Sequence, residues 1–152
     1  MENTLFSDHT TGTAAKTTGY LSNGATQSGA TITVDTGTTS FLIGDVITFA
    51  GVFSVHPETK VSTGQLKQFV VTANSGTSAT SLAISPTIVA TGALQNVSNT
   101  VADNSAIVKV GAGASELLNS SLAFHRDAFI FATADLPMPN GTDMAAKATI
   151  DG

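Results

Sequence analysis

Residues 44–73 read GDVITFAGVFSVHPETKVSTGQLKQFVVTA, and apolar side chains at the start of this stretch recur at every second position. They are Ile47, Phe49, Phe53 and Val55, with Gly51 in the one gap of the series. Because side chains alternate between the two faces of a strand, this spacing predicts a strand whose apolar face lies on a core. Gly51 has no side chain to pack, so it predicts a bulge or a sharp bend.

A polar segment, His56–Lys67, follows this strand, and the alternation then resumes at Phe69, Val71 and Ala73. The pattern predicts a β-hairpin with an oversized tip. Loops longer than about two to five residues are commonly functional. The charges of this loop either serve a contact with a partner or are the ordinary charges of an exposed loop: Glu58, Lys60 and Lys67.

Short apolar alternations on both sides of the hairpin predict further strands. They cover Ala30–Asp35, Thr80–Ser85, Ser105–Val110 and Phe129–Thr133. In the third, Ile107 and Lys109 share one face. Between the strands predicted at Thr80–Ser85 and Ser105–Val110, we expect Gly92–Asn104 to be a loop that Leu94, Val97 and Val101 hold against the core. Ser115–Asn119 predicts a short helix, with Ser115 as its cap. Met1–Gly29 has neither a strand nor a helix period, so we expect an extended or partly disordered arm.

Composition excludes several classes of protein. The chain has 152 residues, a net charge of −5, six basic residues and no cysteine. It therefore has no thiol nucleophile and no thiolate metal site. The scattered basic residues do not form the patch that nucleic-acid binding needs. The sequence has no apolar run near the roughly 18 residues of a membrane span.

Candidate catalytic and metal-binding residues are few. Asp45 follows Gly44 in a tight turn, where Asp hydrogen-bonds its own backbone, and no nearby acid pairs with it. The histidines lack metal-ligand spacing: His9, His56 and His125. The triplet at 125–127, HRD, lacks the other motifs of a kinase site. We therefore predict no catalytic residue, metal or cofactor, and a mainly β domain, a barrel or sandwich of about six strands, with a structural or interaction role.

Four segments resemble, in order and spacing, the coat (major capsid) proteins of short-tailed phages that infect Salmonella and related bacteria. They are the stretch at 44–73, LAISPTIV at 82–89, LQNVSNTVADNSAIVKV at 94–110 and NSSLAFHRDAFIFATADLPMP at 119–139. The resemblance covers Thr31–Pro139. It implies a Hong Kong 97-like capsid subunit that carries an inserted β-barrel, the telokin-like insertion domain.

The resemblance further implies a small six-stranded antiparallel β-barrel with long loops and at most one short helix. We expect the barrel at 30–139, an arm at 1–29 and, at 140–152, a flank that leads back to the capsid core of a longer subunit. The implied role is structural: the domain aids folding, stability and assembly of the coat subunit. By position, the loop that contacts a neighbouring subunit holds His56, Glu58, Lys60 and Lys67.

The implied partners are other copies of the coat protein and, during assembly, scaffolding protein, without nucleic acid or membrane. The implied location is the virion, and the host cytoplasm before assembly. Two alternatives remain at this point. A phage decoration or carbohydrate-binding module would need exposed aromatic residues, yet the chain has no Trp and one Tyr. A small hydrolase using Asp45, Asp103 or Asp127 would need two acids in one cleft.

Overall fold

The computed structural model describes residues 8–111 and 113–119, together with His125 and Ala128. The chain divides into two compact units, Met1–Ser121 and Leu122–Gly152. In the second unit, the backbone N–H of Ala128 donates a hydrogen bond to the carbonyl of His125 at 2.9 Å. All the strands described below belong to the first unit.

Strands are the only regular elements among the described residues, and none of these residues is helical. They are β1 (His9–Thr10), β2 (Thr17–Ser22), β3 (Gly29–Asp35), β4 (Val46–Val55), β5 (Ser62–Val71), β6 (Ser81–Ile88), β7 (Ala106–Lys109) and β8 (Leu117–Leu118). Six of them close into an antiparallel barrel in the order β2-β3-β6-β5-β4-β7, and β1 pairs with β8. The predicted six-stranded antiparallel barrel is confirmed.

Inward-facing side chains of all six barrel strands form the core. These residues are Tyr20, Ile32, Val34, Ile47, Phe49, Phe69, Val71, Leu82, Ile84, Ile88 and Ile107. Burying a large apolar side chain contributes about 1.5–3 kcal/mol. The rings of Phe49 and Phe69 meet edge-on with centroids 5.5 Å apart, a geometry that adds about 1 kcal/mol.

The bulge predicted at Gly51 is confirmed, but the face predicted beyond it is wrong. Gly51 has φ +80°, and the register of β4 against β5 shifts between Thr48 and Phe53. Beyond the bulge, Val52 is fully buried while Phe53 is half-buried. Extra residues in one strand change which side chains face the core, so strict alternation fails across a bulge.

The arm predicted over 1–29 is wrong for its described part, because Thr17–Ser22 is the barrel strand β2. Tyr20 is buried, and its two inward neighbours are the polar residues Thr18 and Ser22. The hydroxyl of Thr18 donates to the carbonyl of Ile107 at 2.7 Å, so burial leaves it satisfied. Because these inward residues are polar, β2 lacks the alternation of apolar residues from which the other strands were predicted.

Other sequence-based expectations meet mixed outcomes. The strands at Ala30–Asp35, Thr80–Ser85 and Ser105–Val110 are confirmed, with small changes of boundary. The short helix is wrong, because Leu117–Leu118 is the strand β8 and its pairing with β1 overrides the local helix signals. In the loop before β7, Val97 and Val101 are buried, but Leu94 is 83% exposed.

Two predicted segments, the strand at Phe129–Thr133 and the flank at 140–152, lie outside the described residues. The barrel nevertheless closes between β2 and β7, so its strands run from Thr17 to Lys109 rather than from residue 30 to residue 139.

Candidate functional site

The β4–β5 hairpin ends in a loop that is shorter than predicted. Val55 pairs with Ser62, so the loop is His56–Val61, and Ser62–Lys67, polar apart from Leu66, belongs to β5. Nearly all of that part of β5 is exposed, which explains why its sequence resembles a loop. The backbone N–H of His56 donates to the carbonyl of Val61 at 2.9 Å and closes the loop.

Two of the predicted contact residues, His56 and Glu58, lie in this loop and are exposed. Nδ1 of His56 accepts hydrogen bonds from the backbone N–H groups of Glu58 at 3.3 Å and Thr59 at 3.4 Å. The imidazole therefore orders the turn. The carboxylate of Glu58 lies on the exposed part of the loop.

Lys60 is half-buried and joins the hairpin loop to a second loop. Its Nζ donates to the carbonyl of Ala93 at 2.8 Å and to that of Gln95 at 3.3 Å. Its backbone has φ +59°, which is an uncommon conformation for a residue with a side chain. The side chain of Lys60 thus holds the two loops together and does not extend into solvent. Lys67 lies within β5, so the structure brings together His56, Glu58 and Lys60 but not Lys67.

Two apolar residues of this surface were not predicted to be exposed: Val61 was not singled out, and Leu94 was expected to hold its loop against the core. Val61 is 65% exposed and Leu94 is 83% exposed. Leu94 lies in a turn closed by the N–H of Gln95 and the carbonyl of Gly92 at 3.1 Å, and Lys60 binds the carbonyls on either side of it. We call His56, Glu58, Lys60, Val61 and Leu94 the tip surface. The available signal was Gly92, two residues before Leu94, because glycine is common in exposed turns.

A second concentration of polar residues lies at the other end of β4, where Asp45 precedes the strand. Asp45 is 1% exposed. Its Oδ2 accepts hydrogen bonds from the N–H groups of Gly12 and Leu42, both at 2.9 Å, and Nε2 of His9 lies 2.9 Å from its Oδ1. The predicted turn role is therefore correct, but Asp45 also binds a distant segment of the chain.

Lys109, the last residue of β7, is fully buried at the same end of the barrel. It faces inward opposite Ile47. Its Nζ donates to Oγ1 of Thr11 and to the carbonyl of Gly113, both at 2.8 Å. We call His9, Thr11, Asp45 and Lys109 the junction cluster. The alternation in β7 predicts that Lys109 lies on the same face as Ile107. It does not predict that a lysine at this position is buried.

The arrangement of the described acids fits structural roles. Both oxygens of Asp45 are occupied as given above. Asp103 accepts the N–H of Gly24 at Oδ1, at 2.8 Å, and the amide of Asn104 at Oδ2, at 2.9 Å. Asp127 lies outside the described residues. Within the described part of the chain, no three His, Cys, Asp or Glu side chains come together as metal ligands, and no helix there is long and apolar enough to cross a membrane.

Comparison with known proteins gives a family. A model described as "P22 coat protein - gene protein 5" matches residues 8–152. The chain belongs to the P22 coat protein family. It is also similar to a solved structure, the CUS-3 coat protein I-domain, with 28% identity, a TM-score of 0.42, and coverage of 69% of this chain and 97% of that one. No curated protein matches it.

Membership of this family makes the chain a structural protein of a phage capsid, in which it assembles with other copies of the coat protein. The resemblance read from the sequence is thereby confirmed. The family is structural rather than enzymatic, and the carboxylates of Asp45 and Asp103 both accept hydrogen bonds from backbone N–H groups. The contact role of His56, Glu58, Lys60 and Lys67 stays a prediction.

Proposed function

We propose that the barrel is the insertion domain of the coat subunit and that it aids folding, stability and assembly of that subunit. The observation that carries this proposal is the pairing of β1 with β8, in which His9 lies opposite Leu118 and Thr10 opposite Leu117. The chain reaches and leaves the barrel at one place. A domain with this property can be inserted in a larger fold without separating the flanking segments.

The topology of the barrel supports a role in folding. Its largest strand pair, β4 with β5, is a hairpin of two ten-residue strands joined by a short loop. Contacts between residues close in sequence form early, because little loop entropy is lost. An early barrel would shorten the time during which apolar segments of the subunit are exposed to aggregation. We also propose that the subunit folds in the host cytoplasm. Scaffolding protein is the further partner that we propose during assembly. The family resemblance supports both proposals.

The tip surface is the part of the barrel that we propose contacts a neighbouring coat subunit. β4 starts beside the junction cluster and ends at the tip after ten residues. At about 3.3 Å per residue, the tip lies about 30 Å from the paired strands that connect the barrel to its own subunit. It is therefore well placed for a neighbour. Exposed Val61 and Leu94 supply apolar area for this contact. The charge of Glu58 would set the position of the neighbouring subunit and would add little to the affinity of the contact.

A replacement in the full-length coat protein tests the insertion role. Because Thr10 and Leu117 are cross-strand partners, Asn-Gly in place of residues 11–116 would join them through a tight hairpin turn. We expect the shortened coat to aggregate or to form aberrant particles. Normal particles at normal yield would reject the proposal and would favour a dispensable surface module.

The alternative, a decoration or carbohydrate-binding module, draws no support from the described aromatic residues. Such modules bind sugar rings on exposed aromatic faces. The single tyrosine, Tyr20, is 1% exposed, Phe41, Phe49 and Phe69 are fully buried, and Phe53 is half-buried, so no described Tyr or Phe residue is exposed.

A further inference from the structure

The strands that connect the barrel to the rest of the subunit are too short to hold each other. β1 and β8 contain two residues each. Even a longer isolated pair of strands is marginally stable in water. Two backbone hydrogen bonds extend the contact, from the N–H of Thr11 to the carbonyl of Glu116 and from the N–H of Ser115 to the carbonyl of Gly12, both at 2.9 Å. Something outside the pair must supply the remaining stability.

Lys109 provides a connection from the barrel to both sides of this pair. One hydrogen bond of its Nζ goes to Thr11, which follows β1, and the other goes to Gly113, which precedes β8. Oγ1 of Thr11 also accepts the N–H of Glu116 at 2.9 Å. Hydrogen bonds from a charged donor are about twice as strong as neutral ones. The ammonium is fully buried, so the loss of either acceptor would leave a charge poorly satisfied.

Asp45 provides a second connection, on the β1 side. It accepts the N–H of Gly12 and lies against the ring of His9. Gly12 permits this close approach: a Cβ there would lie 2.2 Å from the carbonyl oxygen of Ser40 and 2.7 Å from Cα of Phe41. The segment after β1 is thus seated directly on the backbone of the turn that precedes β4.

We propose that the junction cluster is a clasp that fixes the orientation of the barrel on its coat subunit. Lys109 and Asp45 hold β1 and β8 together and against the barrel end. Without the clasp, the barrel stays folded but its connection loosens, so the tip surface is no longer presented at a defined position. The orientation role rests on the proposed insertion domain; the clasp itself does not.

Lys109→Met tests the clasp, because methionine keeps most of the apolar stem and removes the ammonium. Amide hydrogen exchange in the 152-residue chain is the readout. We expect protection to fall about tenfold or more at Thr11, Ser115 and Glu116, and to stay within about threefold at Phe49, Phe69 and Ile84 in the barrel. The matched control is Lys60→Met, which removes another ammonium bound by two carbonyls and should leave the junction amides unchanged.

Thr11→Val approaches the same bond from its other partner and keeps the test valid if Lys109→Met fails to fold. We expect the same selective loss of protection, and the double variant should lose less than the sum of the two single losses. Unchanged junction amides in Thr11→Val, or a uniform loss across the barrel, would overturn the clasp.

The orientation role is tested with the same two substitutions in the full-length coat protein, beside Lys16→Met as an exposed control. We expect soluble subunits, and a particle yield about tenfold lower than that of the control if the contact loses a defined geometry. Loosened junction amides with normal particles would overturn the orientation role. If the Asn-Gly replacement also gave normal particles, the insertion role itself would have failed.

Discussion

Gly37 lies directly against the ring of Tyr20, and this approach shows how tightly single residues are fitted in the barrel. A Cβ at Gly37 would lie 2.1 Å from Cδ2 of Tyr20. The ring has no room to move away, because its hydroxyl donates to the carbonyl of Thr39 and accepts the N–H of Ala79. Its face also meets Phe41, with centroids 5.3 Å apart. One added methyl group must therefore displace a core residue.

We predict that Gly37→Ala destabilises the chain by about 2 kcal/mol or more, as overpacking does. Gly76→Ala is the matched control, since a Cβ there meets no atom within 4 Å, and it should change stability by less than about 0.5 kcal/mol. Denaturant unfolding of both variants measures the difference. Equal midpoints would show that Tyr20 is not packed in this way.

At the scale of the element, the bulge in β4 decides which side chains face the core. Thr48 pairs with Gln68 and Phe53 pairs with Leu66, so the four residues of β4 between these pairs lie opposite the single residue Lys67 of β5. Strict alternation would place Val46 and Val52 on the same face. In the structure Val52 is fully buried and Val46 is half-buried.

We predict that Val52→Thr costs about 1–2 kcal/mol, because it buries a hydroxyl in an apolar site. Val46→Thr should cost less than about 0.5 kcal/mol. Both changes keep a β-branched residue in a strand, so their β-propensities are matched. Urea unfolding distinguishes the two cases, and equal costs would support uninterrupted alternation.

The hairpin tip leads to a prediction about assembly. Leu94→Ser and Val61→Ser remove exposed side chains, so the stability of the isolated chain should change by less than about 0.5 kcal/mol. In the full-length coat, the proposed contact with a neighbouring subunit would bury Leu94. Loss of that side chain should weaken the contact by about 2 kcal/mol, roughly thirtyfold in affinity. Sedimentation of assembled particles measures this.

Ile43→Ser is the control for the tip variants, because Ile43 is 57% exposed at the other end of β4. Its particle yield should match that of the unmodified coat. A fall as large as that of Leu94→Ser would show that any exposed apolar residue of the barrel has this effect, and would remove the special role of the tip.

The elements also show how far the sequence alone predicts this structure. β4 and β6 carry enough inward apolar residues for their period to be visible. β2 does not, because Thr18 and Ser22 face inward and satisfy their hydroxyls with the carbonyls of Ile107 and Ala102. The sequence likewise did not predict that the ammonium of Lys109 is buried. Its acceptors lie 98 residues before it and four after it. The hydrogen bonds of Thr18 and Ser22, and that of Lys109 to Thr11, join residues far apart in sequence and leave no local pattern.

In the molecule as a whole, the chain reaches and leaves one closed barrel through β1 and β8. Both pairs of elements that define this arrangement, β2 with β7 and β1 with β8, lie within residues 8–119. The family match covers residues 8–152 and therefore includes both pairs. We therefore expect residues 8–119 to be a folding unit within a coat subunit.

Unfolding of the fragment Asp8–Asn119, followed by circular dichroism and amide exchange, shows whether these residues fold on their own. We expect one cooperative transition, at a denaturant midpoint close to that of the 152-residue chain, with protected amides at Phe49, Phe69 and Ile84. A fragment without a cooperative transition, or with unprotected amides at these three positions, would contradict it.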